Sequence, residues 1–198
     1  MEYDRTKREI KLSRRLSNLD KLVLEFVNIL KKHVRYVIIS GYISILLGRA
    51  RATEDVDLFI EKINKEKFAV LYVDLDKAGF WCLNAEKADE VFSYLEDGLA
   101  VRFARKGKSI PNFEIKFPKN KVDEGTFDDL IKVELGDKEI IISSLERQIA
   151  FKRYFLKSDK DIEDALHIEE IFKQDLDNEK INKLKKLIEN RENGWKNK

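Results

Sequence analysis

Two aspartates one residue apart, Asp55 and Asp57, begin the segment Asp55-Val56-Asp57-Leu58-Phe59-Ile60, which alternates and then turns apolar. That pattern reads as a strand. Strand side chains alternate faces, so both carboxylates project together while Val56 and Leu58 point to the core. Neighbouring carboxylates repel unless a cation sits between them. Magnesium suits such a pair, because it takes oxygen ligands and commonly combines one or two carboxylates with phosphate oxygens. Upstream, Ser40-Gly41 follows the apolar run Tyr36-Val37-Ile38-Ile39 and opens a short helical segment. The free N–H groups and dipole at a helix start favour a phosphate, and the missing Cβ of Gly41 lets it approach. Together these residues describe a magnesium–triphosphate site. A third carboxylate would complete a centre of two ions about 3.5–4 Å apart. Glu114 is the candidate, on a strand whose Phe113, Ile115 and Phe117 face inward and leave Glu114 and Lys116 on the other side. A second Asp-x-Asp pair, Asp74 and Asp76, lies late in a helical segment before Gly79 and is expected to face water.

The elements that position these residues follow from periodicity. Ser17 and Asp20 form a capping box ahead of Leu19, Val23, Phe26 and Leu30, so residues 17–32 read as a helix. Residues 36–39 read as a buried central strand, 42–47 as a helix and 55–60 as a second strand. A helix over 65–78 with Phe68, Leu71 and Leu75 inward leads to a strand at 80–83, and residues 89–97 read as helical. Residues 99–103 and 113–117 read as strands joined by a basic loop, and a hairpin turns at Leu135-Gly136-Asp137. Beyond Ser143 the chain reads as all helical, over 144–157, 159–173 and 178–189. The charged opening, residues 1–15, is expected to be frayed or an appended helix. Phe80, Trp81 and Cys82 read as core. The expected fold class is α/β (α+β): a mixed, twisted sheet with flanking helices over residues 1–143, then a helical segment over 144–198 packed on that core.

Composition narrows the function classes. The 198 residues are 43% hydrophobic and 38% charged, yet Lys and Arg (39) nearly balance Asp and Glu (37), so charge alone does not mark a nucleic-acid binder. One cysteine, Cys82, excludes an intrachain disulfide and a thiolate cluster, and two histidines, His33 and His167, are too few for a usual zinc site. No apolar leader and no run of about 20 apolar residues occurs, so the expected setting is cytoplasmic, without a membrane partner.

The stretch Val37-Ile-Ile-Ser-Gly-Tyr-Ile-Ser-Ile-Leu-Leu-Gly-Arg-Ala-Arg-Ala-Thr-Glu-Asp-Val-Asp-Leu resembles the DNA polymerase β-type nucleotidyltransferase superfamily, above all its small prokaryotic abortive-infection-toxin-like and minimal members. Their pattern is a Gly-Gly or Gly-Ser turn followed by Arg-x-Thr-x-Asp-x-Asp. Arg51, Thr53, Asp55 and Asp57 match it position by position and Gly41 matches the second turn residue, while Ser40 replaces the first glycine. Ser144-Leu145-Glu146 with Lys152, then Lys160-Asp161 with Asp164, resemble the closing helices of that superfamily. The resemblance implies a nucleotidyltransferase fold, a magnesium cofactor of two ions held by Asp55, Asp57 and Glu114, and a nucleoside triphosphate substrate. It implies nucleotide contacts from Ser40, Gly41, Arg51, Thr53 and Lys152, with Asp161 and Asp164 as structural support. The implied activity moves a nucleoside monophosphate to an acceptor hydroxyl on RNA (a tRNA among them), a protein or a small molecule. A cognate toxin or antitoxin stands among the implied partners. A non-catalytic, antitoxin-like binding module of the same fold is the alternative. A third reading is RNA binding by the basic loop, with Arg102, Arg105, Lys106 and Lys108.

Overall fold

The most apolar short segments of the chain, residues 36–39 and 56–60, must be hidden on both faces. They become the centre of a nine-stranded sheet among the described residues. The computed structural model describes residues 1–196, with side chains described through residue 190. In chain order the strands are β1 Glu2–Asp4, β2 Glu9–Leu12, β3 Tyr36–Ile39, β4 Asp55–Ile60, β5 Phe80–Cys82, β6 Val101–Arg105, β7 Asn112–Lys116, β8 Leu130–Leu135 and β9 Lys138–Ser143. The helices are α1 Asn18–Leu30, α2 Gly41–Leu46, α3 Lys65–Lys77, α4 Ala88–Glu96, α5 Lys121–Glu124, α6 Leu145–Phe151, α7 Asp159–Ile171 and α8 Asn178–Lys196. The sheet order is β1-β2-β8-β9-β3-β4-β7-β6-β5, with parallel pairing at β2–β8, β9–β3 and β4–β7 and antiparallel pairing elsewhere. The fold is therefore the mixed α/β class expected. A membrane span is not among these elements: no helix of the described residues is long and apolar enough to cross a bilayer.

The pairing β4–β7 matters most for the site. Its register sets Asp57 beside Glu114 and Asp55 beside Asn112. Below that pair, Phe26 of α1 stacks on Phe113 at 3.9 Å between centroids and meets Phe80 edge-on at 5.1 Å. This aromatic wedge fixes the apolar side of β7, and Glu114 and Lys116 consequently face the opposite side.

The amino-terminal residues correct an expectation. Residues 1–15 are neither frayed nor helical: β1 and β2 form a hairpin, and β2 runs parallel to β8 with Ile10 opposite Val133. Glu9-Ile10-Lys11-Leu12 alternates with period two, and Ile10 and Leu12 are buried, a strand signal masked by the surrounding charge. Trp81 is a second correction, because it is 43% exposed and donates from its ring nitrogen to the Lys108 carbonyl at 3.0 Å. On a three-residue strand with alternating faces, only Phe80 and Cys82 can point inward. A short helix, α5, and a 3-10 turn over Gly125–Asp128 occupy a stretch the pattern had left without an element. Asn120 opens it by accepting from the backbone N–H groups of Val122 and Asp123.

The capping box at the start of α1 grows into a buried network. Asp20 is fully enclosed, accepts from Ser17, takes a two-point bond from Arg14 at 2.7 and 3.0 Å, and accepts the Tyr42 hydroxyl at 2.7 Å. Burial pushes its carboxyl up. The bonds from Arg14, Ser17 and Tyr42 outweigh that and hold it down at about 2. A carboxyl whose folded pKa is depressed adds stability above its unfolded value of about 3.9, and that stability disappears as pH falls through the folded value. The shift corresponds to roughly 2 kcal/mol. Melting curves between pH 5 and pH 2 are expected to show this loss in the wild-type chain and a correspondingly flatter profile in Asp20→Asn. An identical pH profile for the two proteins would contradict it.

After Ser143 the helices fold back against the sheet. Ser144 caps α6 by accepting from the Arg147 N–H. A π-helical turn over Lys152–Leu156 follows and ends at Lys157, whose φ is +61°. Leu145, Ile149, Ala165 and Ile168 join the main core, while Leu184 and Ile188 of α8 cover Ala150. This fold-back brings α6 and α7 to the end of β3 and α2.

Candidate functional site

Between β3 and α2 the chain turns at Ser40, whose φ of +65° and ψ of −137° lie where glycine is at ease and other residues are strained by about 1–3 kcal/mol. Ser40 thus keeps a glycine-like conformation without being glycine. Its backbone N–H is directed at Gln148 Oε1 on α6, 3.1 Å away, and Gln148 in turn donates to the Ser143 hydroxyl. Gly41 lets the Arg51 guanidinium lie close against the turn. A Cβ there would stand 2.8 Å from Nη2 of Arg51.

Arg51 arrives from the basic loop and donates to Asp164 Oδ2 at 2.5 Å and to the Ala52 carbonyl at 3.2 Å. Asp164, fully buried on α7, is a hub. Arg49 pairs with its other oxygen and also donates to the Lys160 carbonyl at 2.9 Å and to Glu163, and Lys152 Nζ lies 2.7 Å from Oδ2. Lys152 is only 1% exposed and also lies 3.5 Å from Asp161. Burial works against the charged form of Asp164, but Lys152, Arg49 and Arg51 hold its carboxyl below the usual range. The hub thus ties the loop ahead of β4 to α6 and α7.

On the sheet, Asp55 and Asp57 share a face of β4, and Glu114 lies beside Asp57 on β7. The Thr53 hydroxyl is 3.0 Å from the Asp55 carbonyl and 3.3 Å from its Oδ1. Lys116 Nζ lies 3.2 Å from Asp57 Oδ1 and 3.4 Å from Glu114 Oε1, and Arg102 donates to Glu114 Oε2 at 2.7 Å. Burial pushes the Asp57 carboxyl up, Glu114 and Asp55 push it further, and Lys116 opposes them. Burial lowers Lys116, but Asp57 and Glu114 outweigh it and its ammonium is held above the usual range. No three Asp, Glu, His or Cys side chains among the described residues converge as metal ligands. The donor chemistry nevertheless suits a divalent ion: Asp57 is a half-buried carboxylate crowded by those of Asp55 and Glu114, with the Lys116 ammonium 3.2 Å away.

A cavity of about 380 Å³ opens at this point. Ser40, Asp57 and Lys116 line its sheet side, while Gln148, Lys152 and Phe155 line its helical side. Of the expected residues, Ser40, Asp57 and Lys152 reach the cavity directly, Gly41 and Arg51 stand against each other at its turn, and Thr53 braces Asp55. Lys116 and Gln148 had no expected role. The sequence signal for Lys116 was its i+2 spacing from Glu114 on one strand face. Gln148 left no local signal, because its bond to Ser40 spans 108 positions.

The remaining chemistry-bearing residues lie elsewhere in pairs of their own. Asp74 meets His33 Nε2 at 2.9 Å, Asp76 meets Lys106 at 2.8 Å, and Arg105 pairs with Glu25 above the Phe80 ring. His167 Nε2 lies 3.3 Å from the Leu47 carbonyl.

The arrangement has relatives in structure. The fold is similar to the solution structure of the antibiotic-resistance factor ANT(2'')-Ia, an aminoglycoside nucleotidyltransferase. That match has a TM-score of 0.55 and 12% identity over 91% of this chain and 97% of that one. It is also similar to an antigenic nucleotidyltransferase-like protein from Paracoccidioides brasiliensis, with a TM-score of 0.50 and 19% identity over 87% and 88% of the two chains. No family model and no curated protein sequence matches the chain. At such identities the likeness concerns the fold alone: a mixed α/β fold similar to those of these nucleotidyltransferases.

Proposed function

We propose that the chain transfers a nucleoside monophosphate from a nucleoside triphosphate to an acceptor hydroxyl, with magnesium held at Asp55 and Asp57. The observation that carries this reading is the half-buried Asp57, crowded by Asp55 and Glu114, which with Ser40 lines the sheet side of a cavity whose helical side holds Gln148 and Lys152. Magnesium bound there supplies charge neutralisation for the triphosphate. The chain's own residues do the rest by position and charge, as phosphoryl transfer generally requires. Ser40 and Gly41 hold the turn open for the β- and γ-phosphates. Arg51 and Lys152 set positive charge beside them, each anchored on Asp164. The acceptor oxygen bonds to the α-phosphorus, the bond from that phosphorus to the bridging oxygen breaks, pyrophosphate leaves, and the acceptor proton passes to solvent water. A tRNA, protein or small-molecule acceptor and a cognate toxin or antitoxin belong to this proposal.

Incubation with α-labelled nucleoside triphosphates, magnesium and candidate acceptors tests it beside an Asp55→Ala/Asp57→Ala double variant. Label transferred by the wild-type chain alone is the expected result, and equal labelling by both proteins would refute the reading.

A further inference from the structure

Glu114 stands in register with Asp57, yet both of its carboxylate oxygens are already engaged by cations of the same sheet. Arg102 on β6 takes Oε2 at 2.7 Å, and Lys116, two residues along β7, takes Oε1 at 3.4 Å while reaching Asp57 Oδ1 at 3.2 Å. Lys116 is not a passing surface lysine. Its ammonium lies 6.0 Å from the Phe59 ring, Phe59 is its register partner on β4, and it lines the cavity beside Asp57. Three carboxylates, Asp55, Asp57 and Glu114, therefore face two cations, the half-exposed Arg102 and the more enclosed Lys116, which leaves one net negative charge. Among the described residues, the Asp55 side chain meets the Thr53 hydroxyl, a neutral donor that leaves lone pairs for a metal.

We propose that Lys116 occupies the acceptor-side position of the second metal ion, so that the site works with one divalent ion, on Asp55 and Asp57, and one ammonium, between Asp57 and Glu114. This rests on the reading of the acid pair as a magnesium–triphosphate site and replaces the second of the two ions the sequence leads one to expect. The ammonium lines the cavity with Asp57, and in that position it would oppose the build-up of negative charge on an attacking oxygen. Like charges placed side by side disfavour each other, so the ammonium between Asp57 and Glu114 opposes a divalent ion in that same gap.

Manganese is a spectroscopic stand-in for magnesium at oxygen sites, and two ions about 3.5–4 Å apart couple magnetically. Electron paramagnetic resonance of the full chain with Mn²⁺ and a non-hydrolysable ATP analogue is expected to show one uncoupled ion per bound nucleotide. Lys116→Met, which removes the charge but keeps the stem, is expected to bind two ions with a coupled signal, and Lys116→Arg to remain at one. A coupled pair in the wild-type chain would overturn the proposal whether or not Lys116→Met folds, and so would one ion in Lys116→Met. Nucleotide bound by the wild-type chain with no protein-held Mn²⁺ would instead overturn the underlying reading of Asp55 and Asp57.

Discussion

Replacement of Asp164 by alanine is expected to destabilise the chain by about 3–5 kcal/mol, because it leaves buried cations without their anion. Lys152 Nζ, 1% exposed, would lose its 2.7 Å partner, and Arg51 and Arg49 would lose the oxygens on which they converge. For a chain of this length that corresponds to a fall in melting temperature of roughly 10 °C. Asp164→Asn keeps the shape but not the charge and should fall between the two. The pH dependence has a definite sign. The Asp164 carboxyl is held below the usual range in the folded chain, so its stabilisation is present above the unfolded carboxyl value and is lost as pH falls through the folded one. Acid therefore narrows the gap between wild type and Asp164→Asn. A variant melting within a degree or two of wild type near neutral pH would show that the hub does not hold the helices to the loop.

Conversion of Asp57 to asparagine is expected to lower nucleotide transfer by roughly 10³-fold, the scale seen when one element of electrostatic stabilisation is removed from a water-poor site. The folded state should tolerate the change, since it relieves a half-buried carboxyl that Glu114 and Asp55 already crowd. Lys116 keeps Glu114 as a partner. Loss of turnover with melting temperature unchanged or raised is the pattern of a group that works on the ligand. Parallel loss of both would assign Asp57 a structural role.

Apart from α5 and the 3-10 turn after it, the order of elements from residue 17 onward was legible in the sequence because local signals agreed. The Ser17–Asp20 box, the apolar run before Ser40, the Asp-x-Asp alternation and the turn at Gly136 each read correctly without neighbours. The hidden part depended on pairing at a distance. Nothing near residue 10 indicates that Ile10 will lie beside Val133, and so the alternation in residues 9–12 was outweighed by charge. Face and register are separate facts at Glu114. Phe113 and Ile115 tell which way Glu114 points, but only the parallel pairing of β7 with β4 sets it opposite Asp57. The same pairing brings Lys116 to Asp57. The arginines and lysines near the site show the complementary difficulty: their types are plain in the sequence, while their partner, Asp164, lies more than 100 positions from Arg49 and Arg51.

Isothermal titration of the chain with a non-hydrolysable ATP analogue, with magnesium and then with magnesium removed by chelation, asks whether the acid pair on β4 grips a triphosphate through a divalent ion. Affinity at least tenfold weaker without magnesium, and the same weakening in Asp57→Asn with magnesium present, is the expected result. Equal affinity with and without magnesium would contradict the assignment of Asp55 and Asp57.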